Sequence, residues 1–392
     1  MRQEWRTVLL KDVLQPKGYI RGPFGSALKR GDMLDTGIPV YEQQHAIYGS
    51  RQFRFHISEN KYMEMKRFSI QPDDIIISCS GTVGRVSIIT KDDPIGIISQ
   101  ALLLLRVNVD IIDPLFLCYF FRSYEGYNAI VSRSSGSVQV NISKREVIEQ
   151  IPLRLPDIQT QRRIVSILNS LDQKIVCNAK INDNLQQQAM ALYSSMFLDN
   201  PALESTAGTL KDIADVTMGQ SPSGSSYNED GNGEVFYQGR AEFGYRFPTR
   251  RLFTTEPKRM AEAGDVLLSV RAPVGDLNVA YERCCIGRGL GAIHGRNGYQ
   301  SFVLYTMFAL RPQLDVYNGE GTVFGSINRN ALNDMPIEIP SDEAIAAFEA
   351  VVRPMDDMIR INYEENRRLQ ELRDSLLPRL MSGEVDVSNL DI

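Results

Sequence analysis

An α/β (α+β) globular module present in two copies, each followed by one long helix, is the fold class the sequence predicts, and three observations predict it. Segments of the first half recur in the second at a nearly constant offset. A stripe of apolar residues spaced alternately by four and three runs through about five heptads, and it recurs too. The remaining chain alternates short β-branched runs with Gly, Pro, Asn and Ser turns.

In chain order, the runs "DDIIIS" and "VSIIT" read as strands of a first module, and "LFLCYFFRS" reads as a helix. "PDDIIISCSGTVGRV" at 72–86 returns as "AGDVLLSVRAPVGDL" at 263–277, an offset of 191. "SSGSVQVNIS" at 134–143 is echoed by "GEGTVFGSIN" at 319–328, followed by "IPLRLP" in the first half and "MPIEIP" in the second. In the second module, "YQSFVLYTMFAL" is the helical counterpart. These signals divide the chain into a first module at 1–156, a helix at 157–198, a linker at 199–208, a second module at 209–340 and a last helix at 341–392.

The first stripe is Ile164, Leu168, Leu171, Ile175, Asn178, Asn182, Leu185, Ala189, Leu192 and Met196. Adding 184 gives Phe348, Val352, Met355, Ile359, Asn362, Asn366, Leu369, Arg373, Leu376 and Leu380, so both asparagines recur. One such helix cannot bury its own stripe, and the pair is expected to form an antiparallel intramolecular coiled coil. Asn178/Asn182 and Asn362/Asn366 would then meet near mid-helix across a pseudo-two-fold axis and fix the register. Pro354 lies inside the second stripe, which predicts a short helix at about 341–352, a fresh start near Pro354, and a matching break near Asn169-Ser170.

Composition limits the functions available. The chain has 392 residues, 43% of them hydrophobic, enough for two or more cores. No apolar run is long enough to span a bilayer and Met1 is followed by charged residues, so the protein is expected in the cytoplasm, away from membranes. Cys79, Cys118, Cys177, Cys284 and Cys285 form no C-x-x-C pair and only three His accompany them, which favours buried reduced thiols over a metal site. The net charge of −5 is concentrated in the last helical segment, and basic clusters such as "LKRGD" and "GRAEFGYRFPTRR" give a phosphate-binding surface limited support.

Catalytic constellations are missing. There is no phosphate loop, no G-x-G-x-x-G, no adenine-methyltransferase tetrapeptide, no H-E-x-x-H and no G-x-S-x-G. Pro156-Asp157 with Asp172-Gln173-Lys174 satisfies a loose PD…D-x-K nuclease spacing, but the latter lies on the heptad helix and its repeat, Asp356-Asp357-Met358, lacks the lysine.

The stretch "LPDIQTQRRIVSILNSLDQKIVCNAKINDNLQQQAMALYSSMF" resembles the central helix of the specificity subunits of type I restriction-modification systems. "ENRRLQELRDSLLPRLMSGEVDV" resembles their C-terminal helix, and "GDVLLSVRAPVG" and "GTVFGSIN" are similar to elements of their target recognition domains. The resemblance covers essentially the whole chain. It implies a non-catalytic subunit whose two recognition domains each read one half of an interrupted double-stranded DNA target, in restriction and phage defence. It further implies two methyltransferase subunits docked on the helices and restriction-translocase subunits beside them, with S-adenosylmethionine, ATP and Mg on those partners and no cofactor or metal on this chain. Thr160 stands where the family often has Glu before Gln161, and the second copy lacks the Gln, so unequal docking surfaces are expected. A helix of about 30–35 residues spans roughly 45–50 Å. Half-sites one duplex turn apart, about 34–36 Å, fit it, and four residues inserted near Gln186–Gln188 should lengthen the tolerated spacer.

Base readout uses Arg on guanine and Asn or Gln on adenine, with hydroxyls and further cations on phosphates. Candidates in the first domain are Arg21, Ser26, Lys29, Arg30, Gln43, Gln44, His45, Tyr48, Ser80, Thr82, Arg85, Arg133, Ser135 and Gln139. Those in the second are Gln220, Ser221, Ser223, Gln238, Arg240, Arg246, Arg250, Arg251, Arg271 and Arg288. Two alternatives stay open: a specificity subunit serving a methyltransferase-nuclease fusion or an orphan methylation system, and a coiled-coil scaffold that binds only protein.

Overall fold

The computed structural model describes residues 5–24, 27–133, 141–319 and 325–387. The chain divides into two compact units, one formed by Met1–Cys177 with Glu365–Ile392, the other by Asn178–Glu364. Each unit therefore holds one module and a piece of both long helices, whereas the sequence reading sets the helices apart as segments of their own.

In the first unit the four-stranded sheet runs Leu14–Arg21, Leu102–Val107, Ile75–Ser78, Val86–Ile88, all antiparallel. Continuous apolar runs make strands that are covered on both faces, and alternation assigns the faces. Ile75, Ile77, Leu103 and Leu105 enter one core, while Ile76, Leu102 and Leu104 enter a second one. A smaller sheet, His56–Ile57, Ile38–Tyr41, Ile97–Ile98, pairs its last two strands in parallel. The second unit repeats this plan with Ala214–Met218, Leu290–Gly295, Val266–Ser269 and Leu277–Val279, where Val266, Leu268 and Ile293 face one core and Leu267 and Ala292 another. Its smaller sheet has five strands, and Glu234–Tyr237 pairs in parallel with Cys284–Ile286.

Each unit also closes a two-stranded ribbon, Arg6–Leu9 with Pro152–Leu155 and Ser205–Thr209 with Pro336–Pro340. The "IPLRLP" and "MPIEIP" echoes are the returning strands. The expected linker at 199–208 thus ends as a strand of the second ribbon.

The first long helix is continuous over Ile158–Tyr193, followed by a π-turn at Ser194–Leu198. Asp157 caps it, accepting from the amides of Gln159 (2.9 Å) and Thr160 (3.1 Å). The second is continuous over Asp342–Met381, so the break expected at Pro354 does not occur, nor does the one near Ser170. Pro354 and Ala350, whose carbonyl loses its helical partner, are both exposed, and water can take the place of the missing amide.

Within the first unit, Ile164 and Leu168 share a core with Leu377, Leu380 and Met381. Toward its edge, Asn366 donates to the carbonyl of Ile175 (3.3 Å) and Lys174 pairs with Glu365 (3.1 Å). Within the second, Ala189, Tyr193 and Phe197 pack with Ile345, Phe348 and Val352. There Asn362 donates to Asn182 Oδ1 (2.8 Å), and Asn182 donates to the carbonyl of Ile359 (3.4 Å). Asn178, Asn182 and Asn362 are all buried.

All five cysteines are free, and four are buried; Cys177 is exposed, against the expectation of buried thiols throughout. Among the described residues no helix is long and apolar enough to cross a membrane.

Candidate DNA interface

In each unit the loops at one end of the four-stranded sheet are tied to one another by the same backbone bonds. Gly22 donates to Leu102 (2.9 Å) and Ser99 to Tyr41 (2.8 Å); in the second unit Gly219 donates to Leu290 (2.9 Å) and Gly287 to Tyr237 (2.8 Å). Cys79 donates to Ala101 and receives from Ile142, as Val270 donates to Gly289 and receives from Ile327. Ser78 Oγ bonds the Thr82 carbonyl (2.5 Å) and Ser269 Oγ the Pro273 carbonyl (2.7 Å), which holds the following hairpin turn. The loops approach so closely that a Cβ on Gly22 would lie 1.9 Å from the Ser99 carbonyl oxygen, and one on Gly219 2.1 Å from that of Gly287. A small rigid platform results, carrying side chains from four loops.

In the second unit the platform carries Gln220, Gln238, Arg271 and Arg288, all exposed, with Ser221 Oγ accepting from the Arg288 amide (3.2 Å). Ser223 bonds Ser225 beside it (2.8 Å). The other predicted arginines are held by carboxylates: Arg240 by Asp276, Arg250 by Glu282, and Arg251 by Glu242 at 2.6 Å. Arg271 and Arg288 have no acidic partner among the described residues. Arg246 is a correction. It is buried against Asp356, donates to Gln186 (3.2 Å), and is unavailable to a nucleic acid.

In the first unit the platform carries Arg21 and Ser80, whose Oγ bonds Asn141 Oδ1 (2.8 Å). Gln43 is bound within it, its Oε1 accepting from the amides of Cys79 (3.1 Å) and Ser80 (2.9 Å), so it braces the loop instead of presenting an amide outward. Gln44 donates to the Gln52 carbonyl (3.3 Å). His45 is a second correction. It is fully buried, stacked on Phe53 at 4.7 Å, with its ring nitrogens on Glu42 and Gln52. Arg21 is half-buried beside Cys79, and burial pushes that thiol up to about 12 despite the guanidinium. Thr82 and Arg85 are exposed on the hairpin turn, Arg85 lying over the Tyr127 ring at 4.8 Å. Lys29, Arg30 and Tyr48 are exposed on neighbouring segments, and Arg133 donates to the Ala129 carbonyl (2.8 Å). Ser26, Ser135 and Gln139 lie outside the described residues.

The sequence reading misses how each module is mounted on its helices. In the first unit Asp172 accepts from Tyr119 Oη (2.8 Å), Arg373 (2.9 Å) and Arg122 (3.4 Å). In the second, its repeat Asp356 accepts from Tyr305 Oη (3.0 Å) and pairs with Arg246. The nuclease spacing at Asp172 therefore marks a structural clamp. Gln161 acts likewise: fully buried, it accepts from the Asp113 amide (2.9 Å) and donates to the carbonyls of Ile111 (3.2 Å) and Pro156 (2.9 Å). Its repeat is the buried Ile345, so the missing Gln is a change of core packing.

Comparison with known proteins agrees with this arrangement. The Type I restriction modification DNA specificity domain matches residues 3–187. The putative type I restriction enzyme MjaX specificity subunit of Methanocaldococcus jannaschii is 28% identical over 353 residues, covering 85% of this chain and 83% of that one. The HindI specificity subunit of Haemophilus influenzae is 22% identical over 387 residues, covering 77% and 84%. A solved type I restriction-modification S subunit from M. genitalium shares the fold at a TM-score of 0.59 and 16% identity, over 97% of this chain and 96% of that one. The chain is thus similar, over most of its length, to specificity subunits of type I restriction-modification systems. Such subunits are non-catalytic, and activity belongs to the assembled complex.

Proposed function

We propose that each module reads one half of a bipartite, interrupted target in double-stranded DNA through its loop platform. The observation that carries this reading is the platform itself: one backbone scaffold built twice, displaying exposed donors that no carboxylate of the described residues neutralises. Such groups suit phosphates and base edges in the major groove. The two long helices act as an antiparallel intramolecular coiled coil related by a pseudo-two-fold repeat, with Asn182 and Asn362 pinning register. They set the distance between half-sites and dock two methyltransferase subunits, which restriction-translocase subunits join. S-adenosylmethionine, ATP and Mg belong to those partners, and the complex works in the cytoplasm.

The test is methylome sequencing of a host carrying the partner methyltransferase, with and without this chain. A two-part methylated motif, its halves about one duplex turn apart, is expected only when the chain is present. A soluble complex with active methyltransferase and no new motif would favour a protein-binding scaffold instead.

A further inference from the structure

The two platforms share one position that the sequence reading does not align. Ser99–Leu102 and Gly287–Leu290 are equivalent four-residue turns, closed by Leu102 donating to Ser99 (3.1 Å) and Leu290 donating to Gly287 (2.9 Å). Gln100 and Arg288 occupy the second place of each. Both turns are pinned on two further sides, through the amides of Ser99 and Gly287 and through the carbonyls of Ala101 and Gly289, which accept from Cys79 (2.9 Å) and Val270 (3.0 Å). The backbone is thus fixed while the side chains are exposed. Neither the Gln100 amide nor the Arg288 guanidinium has a hydrogen-bond or ion-pair partner among the described residues. A long donor on a rigid turn, unpaired at the centre of four converging loops, is preorganised for a ligand whose position is defined to within a base step.

Building on the proposed DNA-reading function, we infer that Gln100 and Arg288 are equivalent base-reading positions, Gln100 selecting adenine in one half-site and Arg288 guanine in the other. The chemistry follows from the hydrogen-bonding edges. A glutamine amide matches adenine N6 and N7, donating with its nitrogen and accepting with its oxygen, whereas a guanidinium donates twice to guanine O6 and N7. The other exposed platform residues then serve adjacent bases or phosphates.

The experiment is methylome sequencing of hosts expressing the methyltransferase with the unaltered chain, with Gln100→Arg, or with Arg288→Gln. Gln100→Arg is expected to replace one A·T pair by G·C in one half-site and leave the other half untouched; Arg288→Gln is expected to do the reverse in the other half. Gln100→Ala should relax that same position, with discrimination falling about tenfold or more. A motif that stays sharp and unchanged in Gln100→Ala and Arg288→Gln, with methylation intact, overturns the inference while the DNA-reading function stands. If the unaltered chain directs no two-part motif, that function fails and the inference with it. Should Gln100→Arg prevent assembly, the alanine variant decides.

Discussion

The two units mount nearly the same module on helices in different ways. In the second, the segment after strand Glu234–Tyr237 turns back onto both helix pieces: Tyr245 reaches Asp183 (3.3 Å), Arg246 is buried between Gln186 and Asp356, and Phe247 packs on Tyr363 at 4.9 Å between ring centres. Tyr281, also against Phe247, donates to Glu364 (2.6 Å), and Arg360 donates to the Tyr281 carbonyl (2.9 Å). In the first unit the segment after strand Ile38–Tyr41 folds inward as the short helix Gln43–Tyr48 and spends its polar groups within the module. Arg51 pairs there with Asp93 (2.5 Å), and an open cleft of about 600 Å³ remains in front of Asp172, with Tyr48 at its wall 79% exposed. The same carboxylate position on the helix is thus sealed by a buried arginine in one copy and left at a cleft beside two half-exposed arginines in the other. An ion pair's contribution follows its burial more than its geometry, so the difference has measurable consequences.

The largest is expected for Arg246→Ala, which strands the Asp356 carboxylate and should destabilise the second unit by about 3–5 kcal/mol. Arg122→Ala in the first unit should cost less than about 1 kcal/mol, because Arg122 is 38% exposed at its side chain and Asp172 keeps Arg373 and Tyr119. Urea denaturation read with hydrogen exchange separates the two, and equal effects would break the comparison. Next in size, Asn362→Ala leaves Asn182 Oδ1 without its donor in the seam and should cost about 1–3 kcal/mol in a thermal melt. Gln43→Ala removes two bonds to the Ser80 loop, about 1–2 kcal/mol, and should raise exchange at the amides of Cys79 and Ser80.

The smallest effect is a pH dependence. Burial, outweighing the attraction of Arg246, raises the Asp356 carboxyl above its ordinary range. A raised folded value means that this group adds stability below the unfolded value, near 3.8, and that the gain is lost as pH rises through the folded one. The difference in stability between the unaltered chain and Asp356→Asn should therefore decline with rising pH across the acid range. A difference that grows instead would show that the arginine dominates.

Much of this architecture was readable from sequence because it rests on local and periodic signals. The "DDIIIS" and "GDVLLSV" runs become two-faced central strands, and of the recurring Asn positions Asn178, Asn182 and Asn362 are buried. The errors fall where a side chain's fate depends on a distant partner. Arg246 looks like any other basic loop residue until Asp356, 110 positions away, is beside it. His45 is buried by packing on Phe53, and Pro354 is tolerated because its helix face is open to water. Gln100 is hidden in the sequence for another reason. The repeat offset is 191 at Val83/Val274 and 188 at Gln100/Arg288, and that slip hides the equivalence until the backbone bonds reveal it.

The central claim is that two modules read DNA independently, and exchange of one module tests it most directly. Residues 209–340 would be replaced by the corresponding module of another specificity subunit, and the methylome sequenced in a host carrying the same methyltransferase. The account predicts a hybrid motif that keeps one half-site and the spacer and changes only the other half. Simultaneous change of both half-sites, or none, in an active complex would contradict it.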